Sequence, residues 1–412
     1  MPSLFEIPLD IPNVKIEKIE TSKTGDFIIT VTSTQDYTHC HKCGKKICKF
    51  HGYATEVNLR HLPILGRAVY IRIRPARYQC LECDDRPTTS QNLSWYHRKS
   101  PHTKAYEKQI LLSLVNSTVS DVTLKEGLGY EAVMGIINHH INEEVDWGDF
   151  EKLGILGLDE ISLKKGHKDF VVIVTCRNGG QTQILGVLKD RKKATVKEFL
   201  LSIPKHLRKT IYAVCSDMYE GFITAAKEVL KGVKIVIDRF HVAKLYRKGM
   251  ENLRKQELRR LKKELPEKEY KKLKGVMWIL RKKEKALSED DKKVLACLFK
   301  HSPILKLAYQ FCIELTAIFD KNISQKDAKQ EIRNWMKRVK RSKVICFDSF
   351  LKTLKSWMNE ITNYFIERHT SGFVEGLNNK IKVIKRRCYG ILNIGHLFQR
   401  IFLDLSGYAL FL

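Results

Sequence analysis

The chain has 412 residues, of which 43% are hydrophobic, and its 74 Lys and Arg exceed its 46 Asp and Glu to give a formal net charge of +28. This length is too great for one ordinary core, so we expect several domains, and the apolar content excludes wholesale disorder. Because no apolar run approaches a membrane span and the first residues lack a secretion leader, we expect a soluble cytoplasmic protein with no membrane partner. The positive surplus favours nucleic acid as a partner, although a genomic bias towards lysine would also produce it.

Residues 1–95 are predicted to form strands and turns. Val69, Ile71 and Ile73 alternate with polar neighbours, which is typical of a half-buried strand. A polar connector that contains tryptophan and histidine follows, over residues 87–101. We therefore expect a small β module at the start of the chain.

Four of the eleven cysteines form two Cys-x-x-Cys pairs in this module: Cys40, Cys43, Cys80 and Cys83. An odd number of cysteines in a reducing compartment argues against a disulfide framework. Two such pairs complete a tetrahedral all-sulfur zinc site, which is structural because no coordination position is left open. Cys48 and His51 are alternatives that could replace one member of a pair.

Residues 100–145 are predicted to form a second, helical domain. Their apolar spacing becomes helical from residue 102 to about residue 141, with a turn at residues 126–130 that contains Gly127 and Gly129. Two short helices on either side of such a turn indicate a helix-turn-helix that binds DNA. A plain helical hairpin has the same pattern and remains an alternative.

Residues 150–245 are predicted to alternate between strands and helices. We expect strands at 153–158, 170–176, 181–187, 211–216 and 233–237, and helices at 195–201 and 222–230. Asn178-Gly179-Gly180 is a strong hairpin pattern between the second and third strands. The order of these elements indicates a mixed α/β sheet.

The remainder of the chain is predicted to be helical. Residues 246–345 are rich in Lys and Arg, with Glu interleaved, and they either face DNA or present a solvated surface. Residues 346–412 form more apolar helices. The predicted fold class is thus multidomain α+β.

Two aspartates each end an apolar strand. Asp159 follows the first predicted strand of the sheet and Asp217 the fourth. If neighbouring strands bring these carboxylates together, they could share divalent cations that act on a phosphodiester, and oxygen ligands suit Mg²⁺ or Mn²⁺. A strand-ending Asp is more often a turn or cap residue, which is the alternative for each.

A third carboxylate, Glu375, opens a basic helix. Helical spacing puts Glu375, Asn378 or Asn379, Lys382 and Arg386 along one face. This stripe suits a metal ligand with phosphate-binding neighbours, and the alternative is an amphipathic helix whose basic face is solvated. The predicted DNA-binding residues of this helix are Lys382, Lys385, Arg386 and Arg387.

Five stretches of the chain resemble one known family. They are Cys-His-Lys-Cys-Gly (40–44), Leu-Asp-Glu-Ile-Ser (158–162), Ser-Asp-Met-Tyr-Glu-Gly-Phe (216–222), Ile-Asp-Arg-Phe-His-Val (237–242) and Ser-Gly-Phe-Val-Glu-Gly-Leu-Asn-Asn-Lys-Ile-Lys (371–382), the last continuing to Lys-Arg-Arg-Cys-Tyr-Gly (385–390). In this order they resemble the DDE transposases of bacterial insertion sequences, of the ISL3 family. The resemblance covers nearly the whole chain.

The resemblance implies a catalytic triad of Asp159, Asp217 and Glu375, and a secondary motif at Asp238 and His241. It also implies an RNase H-like core over residues 150–245 and 346–412, with residues 246–345 as a helical insertion. A transposase would cut double-stranded DNA at the element ends, join it to target DNA, and act as a homodimer or higher assembly in the synaptic complex. Its place would be the bacterial nucleoid.

Other carboxylates and other functions compete with this interpretation. Glu160 should point to the opposite face from Asp159, Glu220 should lie in a turn, and Asp238 ends a strand as the triad aspartates do. Glu375 is preferred to Asp238 because it carries the basic stripe. The rival functions are a domesticated transposase that regulates DNA without cutting it, and a structure-specific nuclease on the same fold.

Overall fold

A computed structural model of the chain describes residue 9 and residues 11–163, 170–282, 284–368 and 372–412, the last range without the side chains of residues 372–375. The chain divides into two compact units, of which one comprises Met1–Ile141 with Phe402–Leu412 and the other Asn142–Ile401. None of the described helices is both long and apolar enough to cross a bilayer.

The described residues of the first unit begin with nine strands: β1 (Val14–Thr21), β2 (Phe27–Ser33), β3 (Thr38–His39), β4 (Lys46–Ile47), β5 (Lys49–Tyr53), β6 (Val57–Ile64), β7 (Arg67–Ile73), β8 (Ala76–Gln79) and β9 (Thr88–Ser90). They form a sheet of order β1-β2-β7-β6, a three-stranded sheet β5-β8-β9 and the small pair β3-β4. As predicted from their alternation, Val69, Ile71 and Ile73 of β7 are buried in the core of the first sheet. The predicted connector also contains β9.

Three helices follow in the first unit: α1 (Lys104–Leu114), α2 (Val119–Glu126) and α3 (Tyr130–His140). Thr118 and Asp121 form a capping box at the start of α2. Gly127 ends that helix at φ 64°, a left-handed conformation that a residue without a side chain adopts at little cost. Gly129 then caps α3, so the predicted glycine turn lies between two helices.

The second unit is built on a five-stranded sheet. Its elements are β10 (Gly154–Ser162), β11 (Phe170–Asn178), β12 (Gln181–Leu188), α4 (Lys193–Ser202), α5 (Lys205–Arg208), β13 (Ile211–Ser216), α6 (Glu220–Val229) and β14 (Lys234–Ile237). The strand order is β12-β11-β10-β13-β14, with β10, β13 and β14 parallel and β11 and β12 antiparallel to their neighbours. The mixed sheet is thus as the sequence predicted, and Gly179 and Gly180, both at positive φ, form its hairpin turn.

Two details of this sheet differ from the sequence prediction. Asp159 does not end a strand, because β10 continues to Ser162 through pairing with β11. Periodicity missed this extension because Asp159, Glu160 and Ser162 in the last part of β10 are polar and half-buried. Glu220 is not in a turn but is the first residue of α6, where an acidic side chain suits the helix N-terminus.

Helices fill the rest of the second unit. They are α7 (Arg239–Glu264), α8 (Glu267–Lys271), α9 (Val276–Ile279), α10 (Glu289–His301), α11 (Pro303–Asp320), α12 (Gln325–Arg341), α13 (Asp348–Ser356), α14 (Met358–Thr362), α15 (Tyr364–Glu367), α16 (Gly372–Arg387) and α17 (Ile394–Phe411), the last of which continues into the first unit. Gly249 of α7 lies against the backbone carbonyl of Cys346, too close for a side chain. The buried Trp335 indole donates a hydrogen bond to the carbonyl of Phe311 at 3.0 Å, which joins α12 to α11.

Candidate active site and zinc centre

The four predicted zinc ligands lie together in the first unit. The Sγ–Sγ distances are 3.9 Å for Cys40–Cys83, 3.8 Å for Cys43–Cys80 and 3.7 Å for Cys80–Cys83. Zn–S bonds of about 2.3 Å at tetrahedral angles place sulfurs about 3.8 Å apart. The four sulfurs therefore have the spacing that a structural zinc requires, and neither Cys48 nor His51 belongs to their cluster.

The two cysteine turns are also joined by charged side chains. Lys42 forms an ion pair with Asp85, and Lys45 with Glu82. Both pairs are exposed, so each contributes little to stability. Backbone N–H groups of Cys43 and Lys42 lower the pKa of the Cys40 thiol to about 7, which favours the thiolate that binds zinc.

Sheet register brings the candidate catalytic aspartates side by side. Leu158 of β10 is paired with Ser216 of β13, and Ser216 with Ile237 of β14. An aspartate follows each of these three residues, so Asp159, Asp217 and Asp238 lie in a row across three parallel strands. The sequence alone left open whether the strands bring Asp159 and Asp217 together, and this register does so.

Burial and neighbouring charges define the electrostatics of the acidic row. Burial raises the pKa of Asp159, while the N–H of Glu160 and the charges of His241 and Lys382 oppose the rise. Burial also raises the pKa of Asp217, with His241 lowering it and Asp159 raising it further. Two half-buried carboxylates that repel each other are an environment that a divalent cation would stabilise.

Helix α16 packs against β10 beside this row. The Asn378 amide is buried, and its Nδ2 donates to Oδ2 of Asp159 at 2.5 Å. Among the described residues its Oδ1 has no hydrogen-bond partner, although it is fully shielded from solvent. The structure thereby selects Asn378 over the exposed Asn379 as the amide of the stripe, and an unpartnered buried oxygen fits an oxygen-ligand metal site.

Glu375 lies in α16, but its side chain is not among the parts of the chain that the structure describes. The same holds for the side chains of Phe373 and Val374, and Ser371 is not described at all. The role of Glu375 stays a prediction.

The basic residues of α16 differ in their surroundings. Lys385 is half-buried and donates to the carbonyl of Ser162, which ties α16 to β10. Burial, together with Arg386 and Lys382, lowers the pKa of Lys385. Lys382 and Arg386 are exposed, and Arg387 is half-buried. The exposed pair has the freedom to reach a phosphate, whereas Lys385 is engaged within the protein.

Two of the three competing carboxylates, Glu160 and Asp238, make contacts of their own. Glu160 forms an ion pair with Arg191 at 3.2 Å. Asp238 is buried and accepts a hydrogen bond from the N–H of Phe240 at 3.0 Å, which caps α7. The Glu160–Arg191 contact was missed by sequence reasoning, and no local pattern marks it, because Arg191 lies in the loop after β12.

Comparisons with known proteins agree with this geometry. A family model for ISL3 DDE transposases, described as "Transposase", matches residues 156–401, which is more than half of the chain. The chain belongs to the ISL3 family of DDE transposases.

Two further family models match the first unit. One, described as the zinc-finger of transposase IS204/IS1001/IS1096/IS1165, matches residues 36–83, which contain all four clustered cysteines. The other, described as the helix-turn-helix domain of transposase family ISL3, matches residues 91–141, which contain α1, α2 and α3. These matches support the prediction of a structural zinc in the first unit and the prediction of a helix-turn-helix.

Curated relatives of this ISL3 family member are transposases by name. The chain is 26% identical over 373 residues to the "Transposase for insertion sequence element IS1001" of Bordetella parapertussis, covering 90% of this chain and 89% of that protein. It is 21% identical over 395 residues to the "Transposase for insertion sequence element IS1557" of Mycobacterium tuberculosis strain CDC 1551 / Oshkosh, covering 90% and 86%. The same values hold for that element's transposase in strain H37Rv.

Proposed function

We propose that the chain is the transposase of an insertion sequence, which binds the terminal inverted repeats of its element and cuts and joins DNA at one acidic centre. The observation that carries this proposal is the row of aspartates across neighbouring parallel strands, beside α16 and inside the region matched by the ISL3 transposase family. The helix-turn-helix and ribbon matches, and the names of relatives that align over 90% of the chain, support the same function.

The catalytic residues in this proposal are Asp159, Asp217 and Glu375. Asp159 and Asp217 are adjacent through the Leu158–Ser216 register. Position 375 lies three residues before Asn378, whose amide contacts Asp159, and residues three apart share a helix face. These placements favour Glu375 over Asp238, whose carboxylate caps α7.

The three carboxylates would hold Mg²⁺ or Mn²⁺, which supplies charge neutralisation at the attacking and leaving oxygens of a phosphodiester. The protein's own groups then position the reactants. Asn378 fixes the orientation of the Asp159 carboxylate, and Lys385 holds α16 at the sheet. Lys382 and Arg386, which are exposed on the same helix, contact the DNA backbone.

The fold class that fits this site is RNase H-like. The supporting features are the mixed five-stranded sheet, the two aspartates on neighbouring parallel strands, and a third carboxylate on a helix separated from them by many helices. We infer five segments: a zinc module at 1–95, a DNA-binding domain at 100–145, a core at 150–245 and 346–412, and an insertion at 246–345.

The DNA substrates follow from transposition itself. One centre has to act on element ends and on target DNA, both double-stranded, and the two ends must be joined in one complex. We therefore propose a homodimer or higher assembly at synapsis, working on the bacterial nucleoid. The formal charge of +28 suits contacts with several duplexes.

Cleavage of end DNA tests the proposed function. Labelled duplex carrying the inverted repeat that flanks the gene is incubated with the full chain and Mg²⁺, next to scrambled duplex. We expect a cut at the repeat boundary and, with target DNA present, joined product, and we expect Asp217→Asn to bind the same duplex without cutting it. Repeat-specific binding without cleavage by the unchanged protein would indicate the regulator, and cleavage governed by DNA shape alone would indicate the nuclease.

A further inference from the structure

Three histidines and one glutamate meet in the helical part of the first unit. His97 lies in the connector after β9, Glu107 on α1, and His139 and His140 at the end of α3. One ligand atom from each lies within 4.8 Å of every other. The four residues have no motif spacing, so only the folded chain brings them together.

The cluster is centred on a buried carboxylate. Nε2 of His140 lies 2.7 Å from Oε2 of Glu107, and Nε2 of His97 lies 4.0 Å from the same oxygen. The rings also contact one another edge to face, with centroids 4.1 Å apart for His97–His139 and 5.1 Å apart for His139–His140. Four zinc ligands at bonds of about 2.0–2.1 Å lie about 3.4 Å apart. Small rotations of the rings, of which His139 is exposed, close the remaining gap.

A simple His140–Glu107 ion pair explains only part of this arrangement. It leaves two further imidazoles packed against the pair, although Arg98 and Lys99 next to them already supply positive charge. Ser100 donates a hydrogen bond to the other carboxylate oxygen, Oε1 of Glu107, at 2.7 Å. A second hydrogen bond that orients a carboxylate is the usual support for a metal ligand.

The cluster is also accessible. It borders a cavity of about 320 Å³ that is open to solvent and lined by His97, Glu107, Gly135, Ile136 and His139. A cation could therefore enter without unfolding the domain. Three imidazoles and one carboxylate are a donor set that suits zinc better than Mg²⁺, which prefers oxygen ligands alone.

We propose that His97, Glu107, His139 and His140 bind a second zinc ion, separate from the zinc of the four cysteines. This ion clamps the connector to α1 and to the end of α3, the helix that follows the glycine turn. It thereby fixes the orientation of α3 relative to the connector and α1, before any DNA is bound. The site does not depend on the proposed catalytic role of the acidic centre.

Zinc stoichiometry of the full chain tests the site. The protein is expressed with zinc, dialysed into zinc-free buffer that contains Mg²⁺ so that the acidic centre does not retain zinc, and analysed by mass spectrometry for metal. We expect two zinc ions per chain. We expect one in H97A/H139A and two in the control H206A, which removes an exposed histidine elsewhere.

The single variant H139A covers the possibility that the double variant misfolds. His139 is exposed at a helix end, so H139A should fold, as circular dichroism will verify, and should also contain one zinc. Added zinc should raise the melting temperature of the metal-depleted unchanged protein further than that of H139A. One zinc in the unchanged protein, or two zinc ions retained in folded H139A, would overturn the proposal.

Discussion

The zinc ribbon and the acidic centre bring their candidate metal ligands together in different ways. In the ribbon, each Cys-x-x-Cys turn sets one pair of sulfurs, and the two turns are joined by Lys42–Asp85 and Lys45–Glu82. In the acidic centre, Asp159 and Asp217 meet only because β10 and β13 pair in parallel, and α16 arrives after a long helical segment. The ribbon is specified by short-range spacing, whereas the acidic centre is specified by the whole sheet. A substitution in the ribbon should therefore disturb the folding of the ribbon alone, whereas a substitution in the acidic centre should reduce catalysis.

The largest expected effect concerns the third carboxylate. Glu375→Gln should reduce end cleavage and strand joining by on the order of 10³-fold or more, because it removes a carboxylate that would hold the metal ion whose charge stabilises the reacting phosphate. Binding to end DNA should persist, as measured by gel shift. Glu220→Gln, at the exposed start of α6, is the matched control and should retain most activity.

Asp238→Asn tests whether Asp238, rather than Glu375, is the third catalytic carboxylate. An asparagine can still cap α7, so this variant should lose activity only through local alignment. If Glu375→Gln cuts normally while folded Asp238→Asn binds DNA without cutting, the proposed triad is wrong.

The next effect concerns the ribbon. Cys40→Ser should remove one zinc from the full chain and make residues 1–95 sensitive to protease, because zinc binding supplies much of the folding free energy of such modules. Metal analysis and limited proteolysis measure the two effects. Cys48→Ser is the control, since Cys48 is exposed and outside the cluster, and zinc loss in that variant would contradict the proposed ligand set.

The salt dependence of the affinity for end DNA measures how many phosphate contacts the protein makes and how many of them come from α16. With about six phosphate contacts, affinity for end DNA should fall roughly 10³-fold between 50 and 200 mM salt. Replacing Lys382 and Arg386 by Ala should reduce the log–log slope by about one for each contact removed. A slope below about three contacts in the unchanged protein would show that the charge of +28 mostly reflects lysine bias.

The smallest expected effect is on the melting temperature of the metal-free protein. The raised pKa of Asp217 means that its ionisation costs folding free energy above that pKa, and that this cost disappears as the pH falls below the unfolded value. In EDTA at neutral pH, Asp217→Asn should therefore raise Tm, on the order of 2–4 °C, and the gain should shrink as the pH is lowered. Asp190→Asn should lower Tm instead, because the hydroxyl of Thr195 lowers the pKa of Asp190. A lower Tm for Asp217→Asn would contradict the cost of burying this carboxylate, to which Asp159 adds repulsion.

The sequence predicted what depends on neighbours in the chain. The cysteine turns, the glycine turn between α2 and α3, and the Gly179-Gly180 hairpin are all short patterns with a direct physical meaning, and all are present. Strand limits were less accurate, as the extension of β10 past Asp159 shows, because pairing with β11 continues through polar residues. The partners of Glu160, Lys385 and Asn378 were not predictable, since each contact joins segments far apart in the chain.

Helix α7 links the acidic centre mechanically to the charged helices. It is capped by Asp238, which continues the aspartate row, and runs without interruption for 26 residues from Arg239. At 1.5 Å per residue it is about 39 Å long, so a tilt of about 5° at its first turn moves its far end by about 3 Å. Movement of the helical region, for example when it contacts a second duplex, would consequently change the geometry of the aspartate row by a small and graded amount.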